Sequence, residues 1–367
     1  MRIIFLSLLF TFILVLSDNL EADPLIMGIT GTCSNGQTVI INGTGFGSKA
    51  SAGPAISSYD NITAADNFHE GYIGGDWYAL NNTHLDTSQS YRRAGTYQSD
   101  HYADCEYIDG ENYNRIIYTG SLGLGNYFYA SFWHYITSSS FTVSTGSGNS
   151  KIWMWYIAGS TNKIMETYYK SGGGEVDAYI ASSDGYTGSL YGQWTNGLAN
   201  LPYQTWHHIE IWAYSGTSGN TDAWLRTAID GQSCRYMHGY GFPTRTTNQW
   251  HFGQGSGCNY SGGSILLDQI YIDSTAAHVF ISDDPSITDW IQNTTKAHNE
   301  TQVASSWTDT AIQFTLNQGS FGNTDTVYLY VVDANGVINS PGYPVTLGHI
   351  FSDDTTSPSI PDALKVQ

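Results

Sequence analysis

Basic side chains are scarce in this chain. Lys and Arg together number 13 against 32 Asp and Glu, which leaves a formal charge of -19 on 367 residues. A phosphate backbone needs a basic footprint, so nucleic acid is excluded as the expected partner, and an anionic membrane surface with it. Charge of either sign is thin, at 12% of the chain, while aromatics reach 14%. The acidity therefore reflects missing Lys and Arg and not an acidic tail. Cysteine is sparse too, with four in all, and no Cys-x-x-Cys or His-x-x-x-His spacing argues for a zinc site. Helical periodicity is absent over any long stretch, and one apolar run alone, Ile3 to Leu16, approaches membrane-spanning length.

That run lies between Arg2 and the small residues around Val15 and Ser17, the layout of a secretory signal peptide. Residues 1–22 are accordingly set aside, and the remainder is expected to be secreted or held at the cell surface with no membrane segment after cleavage. In an oxidising compartment four cysteines suggest two disulfides, with three connectivities open. Cys234 and Cys258 flank a hairpin-sized segment, which favours that pair and leaves Cys33 for Cys105. Asn42, Asn61, Asn81, Asn259, Asn293 and Asn299 begin Asn-x-Ser/Thr sequons, triplets that a chain rich in Asn, Ser and Thr also produces by chance.

What the chain has in quantity is alternation with a period near two. NYFYASFWHYI (Asn126 to Ile136), KIWMWYI (Lys151 to Ile157), WHHIEIWAY (Trp206 to Tyr214) and ILLDQIYID (Ile265 to Asp273) are separated by turn segments such as TGSGNS and SGGG. The expected fold class is all-β, of the sandwich or jelly-roll kind. In the first of these strands Phe128, Ala130, Phe132 and Ile136 form a core face, leaving Tyr127, Tyr129, Trp133 and Tyr135 opposite. In the second, Ile152 and Met154 suit the core, leaving Lys151, Trp153 and Trp155 opposite. In the third, Ile209 and Ile211 point inward, and His207 and His208 are expected to be structural.

The opening strand GQTVIINGTGFG (Gly36 to Gly47) needs partners, and SSWTDTAIQFTL with VYLYVVDANG near the other end supplies them. These segments resemble the two ends of a TIG-type (IPT) immunoglobulin-like domain. The resemblance implies one small sandwich made of residues 23–56 and 275–349. The interval 57–274 is too long for a loop and is expected to be an inserted domain. Within it, DNFHEGYIGGDWYAL, TWHHIEIWAYSGTSGNTDAWLRTAIDGQ and SILLDQIYID look like a concanavalin A-like, laminin-G-type jelly roll, with Ala228-Ile229-Asp230-Gly231 as its characteristic turn. The expected fold is thus a concanavalin A-like jelly-roll sandwich inserted into a small immunoglobulin-like β-sandwich, followed by a tail over 350–367.

That superfold hosts many activities, so function rests on side chains. Aromatic stripes facing away from the core suit sugar rings, whose C–H faces stack on flat aromatics. Tyr129, Trp133, Lys151, Trp153 and Trp155 are the expected ligand-binding residues, and the expected role is non-catalytic recognition of glycan or extracellular matrix. The partner is a polysaccharide or glycoconjugate, with copies of the chain or other surface proteins as further partners. One alternative is a structural subunit of an extracellular filament, surface layer or virion appendage. A second is a polysaccharide lyase acting on a uronate polymer.

A glycosidase of this fold would show paired carboxylates around one strand, and Glu106, Glu111, Glu166, Glu175 and Glu210 stand singly. A lyase needs a proton acceptor and a cation for the uronate carboxylate. Lys151 heads a strand resembling one in some alginate and glucuronan lyases, with Tyr168 and Arg115 as partners and Tyr169, Arg92 and Arg93 in support. The Gly-Gly-Lys-x-Pro-Gly signature of those lyases is missing, replaced by GNSKIWMWY. No cofactor is expected. Calcium is left open for ISDDPSITD (Ile281 to Asp289) and for Asp268 with Asp273, although no twelve-residue calcium loop is present and most such aspartates cap turns.

Overall fold

The computed structural model describes residues 22–54, 126–138, 202–217, 220–240 and 265–351, together with short strands and residue 263 in the intervals between them. The leader, the tail beyond Phe351 and the partner cysteine at position 258 lie outside the described residues. All regular structure among them is antiparallel strand, and no helix occurs.

Strands from both ends of the chain share one sheet. Its order is Tyr343–Thr346, Thr326–Val332, His278–Ser282, Asn299–Trp307, Ala311–Thr315, Thr38–Thr44, Leu25–Thr32 and Ile350–Phe351. In the opening strand Val39 and Ile41 alternate inward, and they sit opposite Phe314 and Ile312 of Ala311–Thr315. Asn299–Trp307 pairs with His278–Ser282 through its first half and with Ala311–Thr315 through its second, with a register shift between Ala304 and Ser306. That shift lets one strand belong to two facing layers, as at the corners of sandwiches. Between the layers lies an apolar core of Val39, Ile41, Phe46, Val279, Phe314, Val327 and Val331. The Trp307 indole N–H donates to the Phe46 carbonyl at 3.2 Å, tying the turn after the opening strand into this terminal unit.

The rest of the chain builds two further large sheets. The middle one runs Gln232–Tyr240, Ala223–Ile229, His207–Tyr214, Tyr127–Ile136, Ile265–Asp273, Tyr102–Cys105 and Thr83–Asp86, with Ile56–Ser58 also paired to Ile265–Asp273. The outer one has six strands: Glu175–Ala181, Asn162–Tyr169, Ser150–Ala158, Gln249–Gly253, Arg115–Tyr118 and Trp77–Leu80. They pack face to face as a jelly-roll sandwich. Phe128 meets Trp155 at 4.4 Å and Trp250 at 5.2 Å between ring centroids, and Phe132 meets Phe252 at 4.8 Å. Trp153 stacks on Trp250 at 5.0 Å with the planes 6° apart. Each ring removed from water contributes about 1.5–3 kcal/mol.

The middle sheet is covered on its other side as well. Tyr129, Trp212 and Tyr271 pack with Phe280, Trp290, Ile291 and Tyr330 in a second cluster that joins it to the terminal unit. Lys49 clamps the same junction, 2.6 Å from Asp273 with both side chains almost wholly buried. Burial pushes the Lys49 amine down and the Asp273 carboxyl up, and each partner's charge opposes the other's shift. Gly336, at φ 82°, brings a turn of the terminal unit flat against the Trp212 ring, where a Cβ would collide with the indole.

Candidate functional site

Three places gather chemistry-bearing residues. The first is the junction itself. Because side chains alternate along a strand, the strand that aims Phe128, Ala130 and Phe132 at the outer sheet aims Tyr129, Ser131 and Trp133 at the terminal unit. In register beside them stand Trp212, Glu210 and His208. Glu210 is 1% exposed and accepts from the Tyr129 hydroxyl at 3.1 Å and the Asn299 amide at 3.5 Å, with His208 Nδ1 at 3.7 Å. Burial pushes its carboxyl up to about 7, and the Tyr129 and Asn299 bonds hold it from rising further. His278, stacked on Tyr129 at 4.1 Å and donating from Nδ1 to the Ala276 carbonyl at 2.6 Å, is pushed down to about 3 by burial. The Ser131 hydroxyl meets that of Thr301 at 3.1 Å. These groups face each other across a closed seam, which makes them structural.

The seam opens at one end into a cleft of about 430 Å³ lined by Trp133, Trp206, His208, Asp283, Lys296 and His298, among others. Asp230, in the left-handed region at φ 52°, anchors one wall. Its carboxylate lies 2.9 Å from His207 Nδ1 and 3.2 Å from Lys296 Nζ, and it accepts the His208 amide N–H at 3.0 Å. Burial raises this carboxyl, but the His207 bond and charge, with Lys296 and the His208 amide, outweigh it and hold it below the usual carboxylate range. On the opposite wall His298 Nε2 lies 2.8 Å from buried Glu300 and 2.9 Å from the Ser320 hydroxyl. A Ser-His-carboxylate relay needs the hydroxyl and the carboxylate on different ring nitrogens. Here both meet Nε2, so the cluster is not an acyl-transfer triad. Lys296 pairs with Asp230 at 3.2 Å, so a substrate carboxylate would compete with Asp230 for it. Position in the sequence gave no signal for this cleft, since it draws on both the middle sheet and the terminal unit.

The third place is one end of the outer sheet. Lys151 stands opposite Thr167 and Ser150 opposite Tyr168, with a bulge between Lys151 and Trp153. Trp153 stands opposite Phe252, Phe252 opposite Ile116, and Gly253 opposite Arg115. Lys151, Tyr168 and Arg115 therefore occupy the same end of four adjacent strands. The strands of Lys151 and Arg115 are separated by one other, which places their backbones about 10 Å apart.

Several sequence-based expectations need correction. Tyr129, Trp153 and Trp155 are 0% exposed and Trp133 is 7% exposed, so none of these rings forms a water-facing stripe. Trp153 and Trp155 lie in the inter-sheet core, the reverse of the face assigned from alternation, because both alternate sets in KIWMWYI are apolar. Tyr129 and Trp133 do face away from that core, and the terminal unit covers them. Cys33 is a free, buried thiol pushed up to about 11 by burial, so the Cys33 to Cys105 disulfide is not formed. The Cys234 to Cys258 pair falls outside the described side chains, as do Arg92, Arg93 and the side chains of Lys151, Tyr168, Tyr169 and Arg115. Asp273 pairs with Lys49, while Asp284 and Asp289 accept turn N–H groups from Ser286 and from Ile291 and Gln292. Among the described residues no group of three or more metal-ligating side chains is placed to hold an ion.

No protein-family model matches the chain, and no curated protein matches it. Solved structures that resemble it include the endo-β-1,4-glucuronan lyase of the fungus Trichoderma reesei, at 11% identity and a TM-score of 0.40 over 57% of this chain and 94% of that one. Others are the PL-14 alginate lyase of Aplysia kurodai, at 15% identity and 0.37 over 51% and 86%, and the alginate lyase vAL-1 of a Chlorella virus, at 12% and 0.38 over 55% and 93%. The expected role in non-catalytic recognition through an aromatic face does not stand. The rings that were to form that face are buried.

Proposed function

We propose that the chain is a polysaccharide lyase acting on a uronate polymer at the end of the outer sheet that carries Lys151, Tyr168 and Arg115. The observation that supports this reading is their register, which brings Lys151 and Arg115 to one sheet end a strand apart, with Tyr168 next in sequence after Thr167, the residue opposite Lys151. The chemistry asks for that combination. Breaking the C–H bond α to the uronate carboxylate places negative charge on that carboxylate, which Arg115 and Lys151 neutralise. Tyr168, as its phenolate, takes the α proton and then returns it to the leaving oxygen. The pair of electrons released forms a carbon–carbon double bond, the glycosidic C–O bond breaks, and the leaving oxygen takes up a proton. The cleft between the units fits this reaction less well, because its lysine is already paired with Asp230.

In this reading residues 57–274 form the catalytic jelly roll and residues 23–56 with 275–349 a TIG-type unit that carries it. The apolar run at Ile3 to Leu16 serves export to where such polymers are found. Incubation with a panel of uronate polymers, followed by ultraviolet absorbance of unsaturated products, tests the activity. Lys151→Ala and Tyr168→Phe are each expected to lower the rate at least about 100-fold. A flat absorbance trace with every polymer, or full activity in both variants, overturns the proposal.

A further inference from the structure

The middle sheet carries a second set of rings that the proposed reaction does not use. Tyr127 stands opposite Tyr214, Tyr214 opposite Trp224, and Trp224 opposite His238. Residues directly opposite share a face, so one row of rings crosses four adjacent strands and runs about 14 Å. The rings touch. Tyr127 stacks on Tyr214 with centroids 4.5 Å apart and planes at 25°, and Trp224 lies 6.2 Å from Tyr214. Tyr127 is 43% exposed, His238 is exposed, and Tyr214 and Trp224 are half-buried.

The parallel row two residues further in behaves differently at one end. Tyr129 and Trp212 are buried beneath the terminal unit, whereas Arg226 and Tyr236, which continue that row, emerge from it. The Arg226 guanidinium lies 5.2 Å from the Trp212 ring, 5.5 Å from Trp224 and 4.9 Å from Tyr236, and its buried Nε has no hydrogen-bond partner. None of the ion pairs among the described residues includes it. A guanidinium held between aromatic faces keeps its fork available to a planar anion. One carboxylate, Asp222, lies two residues before Trp224 in the chain, near enough for its charge to act on Tyr127, and is held by the Thr217 N–H at 2.7 Å and its hydroxyl at 2.8 Å.

A partly exposed ladder of rings beside a cation that pairs with no carboxylate among the described residues, in a chain of net charge -19, suits an acidic sugar. Pyranose rings offer C–H faces to the aromatics, and an acidic sugar offers a carboxylate to Arg226. We propose that this ladder is a holding site for an acidic polysaccharide, separate from the reacting end, where Tyr127, Tyr214 and Trp224 stack on sugar rings and Arg226 pairs with a uronate carboxylate. The choice of ligand class rests on the lyase reading, and the surface itself does not.

Affinity electrophoresis of the full chain carrying Lys151→Ala, in gels containing a polyuronate or a neutral glucan, tests it. Retardation by the polyuronate is expected, weakened about tenfold in Trp224→Ala and in Tyr127→Ala, the latter at a ring already 43% exposed. Arg226→Gln is expected to reduce polyuronate retardation to that of the neutral polymer. Unchanged retardation in both ring variants, or equal retardation by the neutral polymer before Arg226 is altered, overturns the proposal. The two readings separate cleanly. Ring-dependent retardation without unsaturated products leaves this site and removes the lyase, and products without ring-dependent retardation do the reverse.

Discussion

Over the central strands of the middle sheet both faces are buried, yet they are built from different chemistry. Toward the outer sheet the strands present Phe128, Ala130, Phe132, Ile209 and Ile211, all 0% exposed and without a polar atom in their side chains. Toward the terminal unit the same strands present Tyr129, Ser131, Trp133, His208, Glu210 and Trp212, also buried, with Ser131 and Glu210 bonded across the seam to Thr301 and Asn299, Tyr129 bonded to Glu210 within the sheet, and the Trp212 indole N–H left without a partner. An apolar face is indifferent to which apolar partner it meets. A polar face costs free energy unless each donor and acceptor finds its counterpart. The seam therefore specifies one docking of the two units, while the inter-sheet core supplies most of the stabilisation.

Three substitutions test that contrast, in order of expected size. Phe128→Ala leaves a cavity among Trp153, Trp155 and Trp250, and denaturant unfolding should show a loss of about 3–5 kcal/mol at every pH. A loss under 1 kcal/mol would mean that the inter-sheet core is not the main support. Glu210→Gln should act through pH. The Glu210 carboxyl sits at about 7 in the folded chain against an ordinary 4.5, so the wild type loses stability as pH rises between those values. The gap in favour of the variant should widen by roughly 3 kcal/mol over that window and stay level above it. A gap that does not change with pH would show that Glu210 is not held in this environment. Tyr129→Phe should cost about 1 kcal/mol and, by removing a bond that favours the charged form, move the Glu210 titration upward. Carbonyl infrared bands of Glu210 followed against pH would show no such movement if the bond were absent.

Alternation made the inner face readable in advance. Phe128, Ala130, Phe132 and Ile136 were assigned to the core from sequence, and all are buried there at 3% exposure or less. The all-β class followed from the same periodicity. Its phase failed in KIWMWYI, where Ile152, Met154, Trp153 and Trp155 are all apolar and period two cannot say which set faces inward. Tyr129 and Trp133 were placed on the correct side, but no local pattern announces that another unit covers it. Cys33 was misjudged because pairing depends on Cα separation, and sequence spacing carries no such distance. The cleft residues Asp283, Lys296, His298 and Ser320, and the ladder from Tyr127 to His238, depend on which strands become neighbours. Sequence offers residue types there without their register. Lys151 was nominated from a resemblance to a strand of some uronate lyases and Tyr168 and Arg115 from the chemistry it would need, and the strand pairing adds that they share a sheet end.

Because Lys49 and Asp273 neutralise each other inside the junction, dissecting this protein at the boundary between its halves would bare far more than grease. An excised jelly roll would carry a naked aspartate and an orphaned glutamate amid four freshly wetted indole and phenol rings. Expression of the halves as separate fragments should thus yield insoluble material, and only co-expression of both should restore a soluble pair.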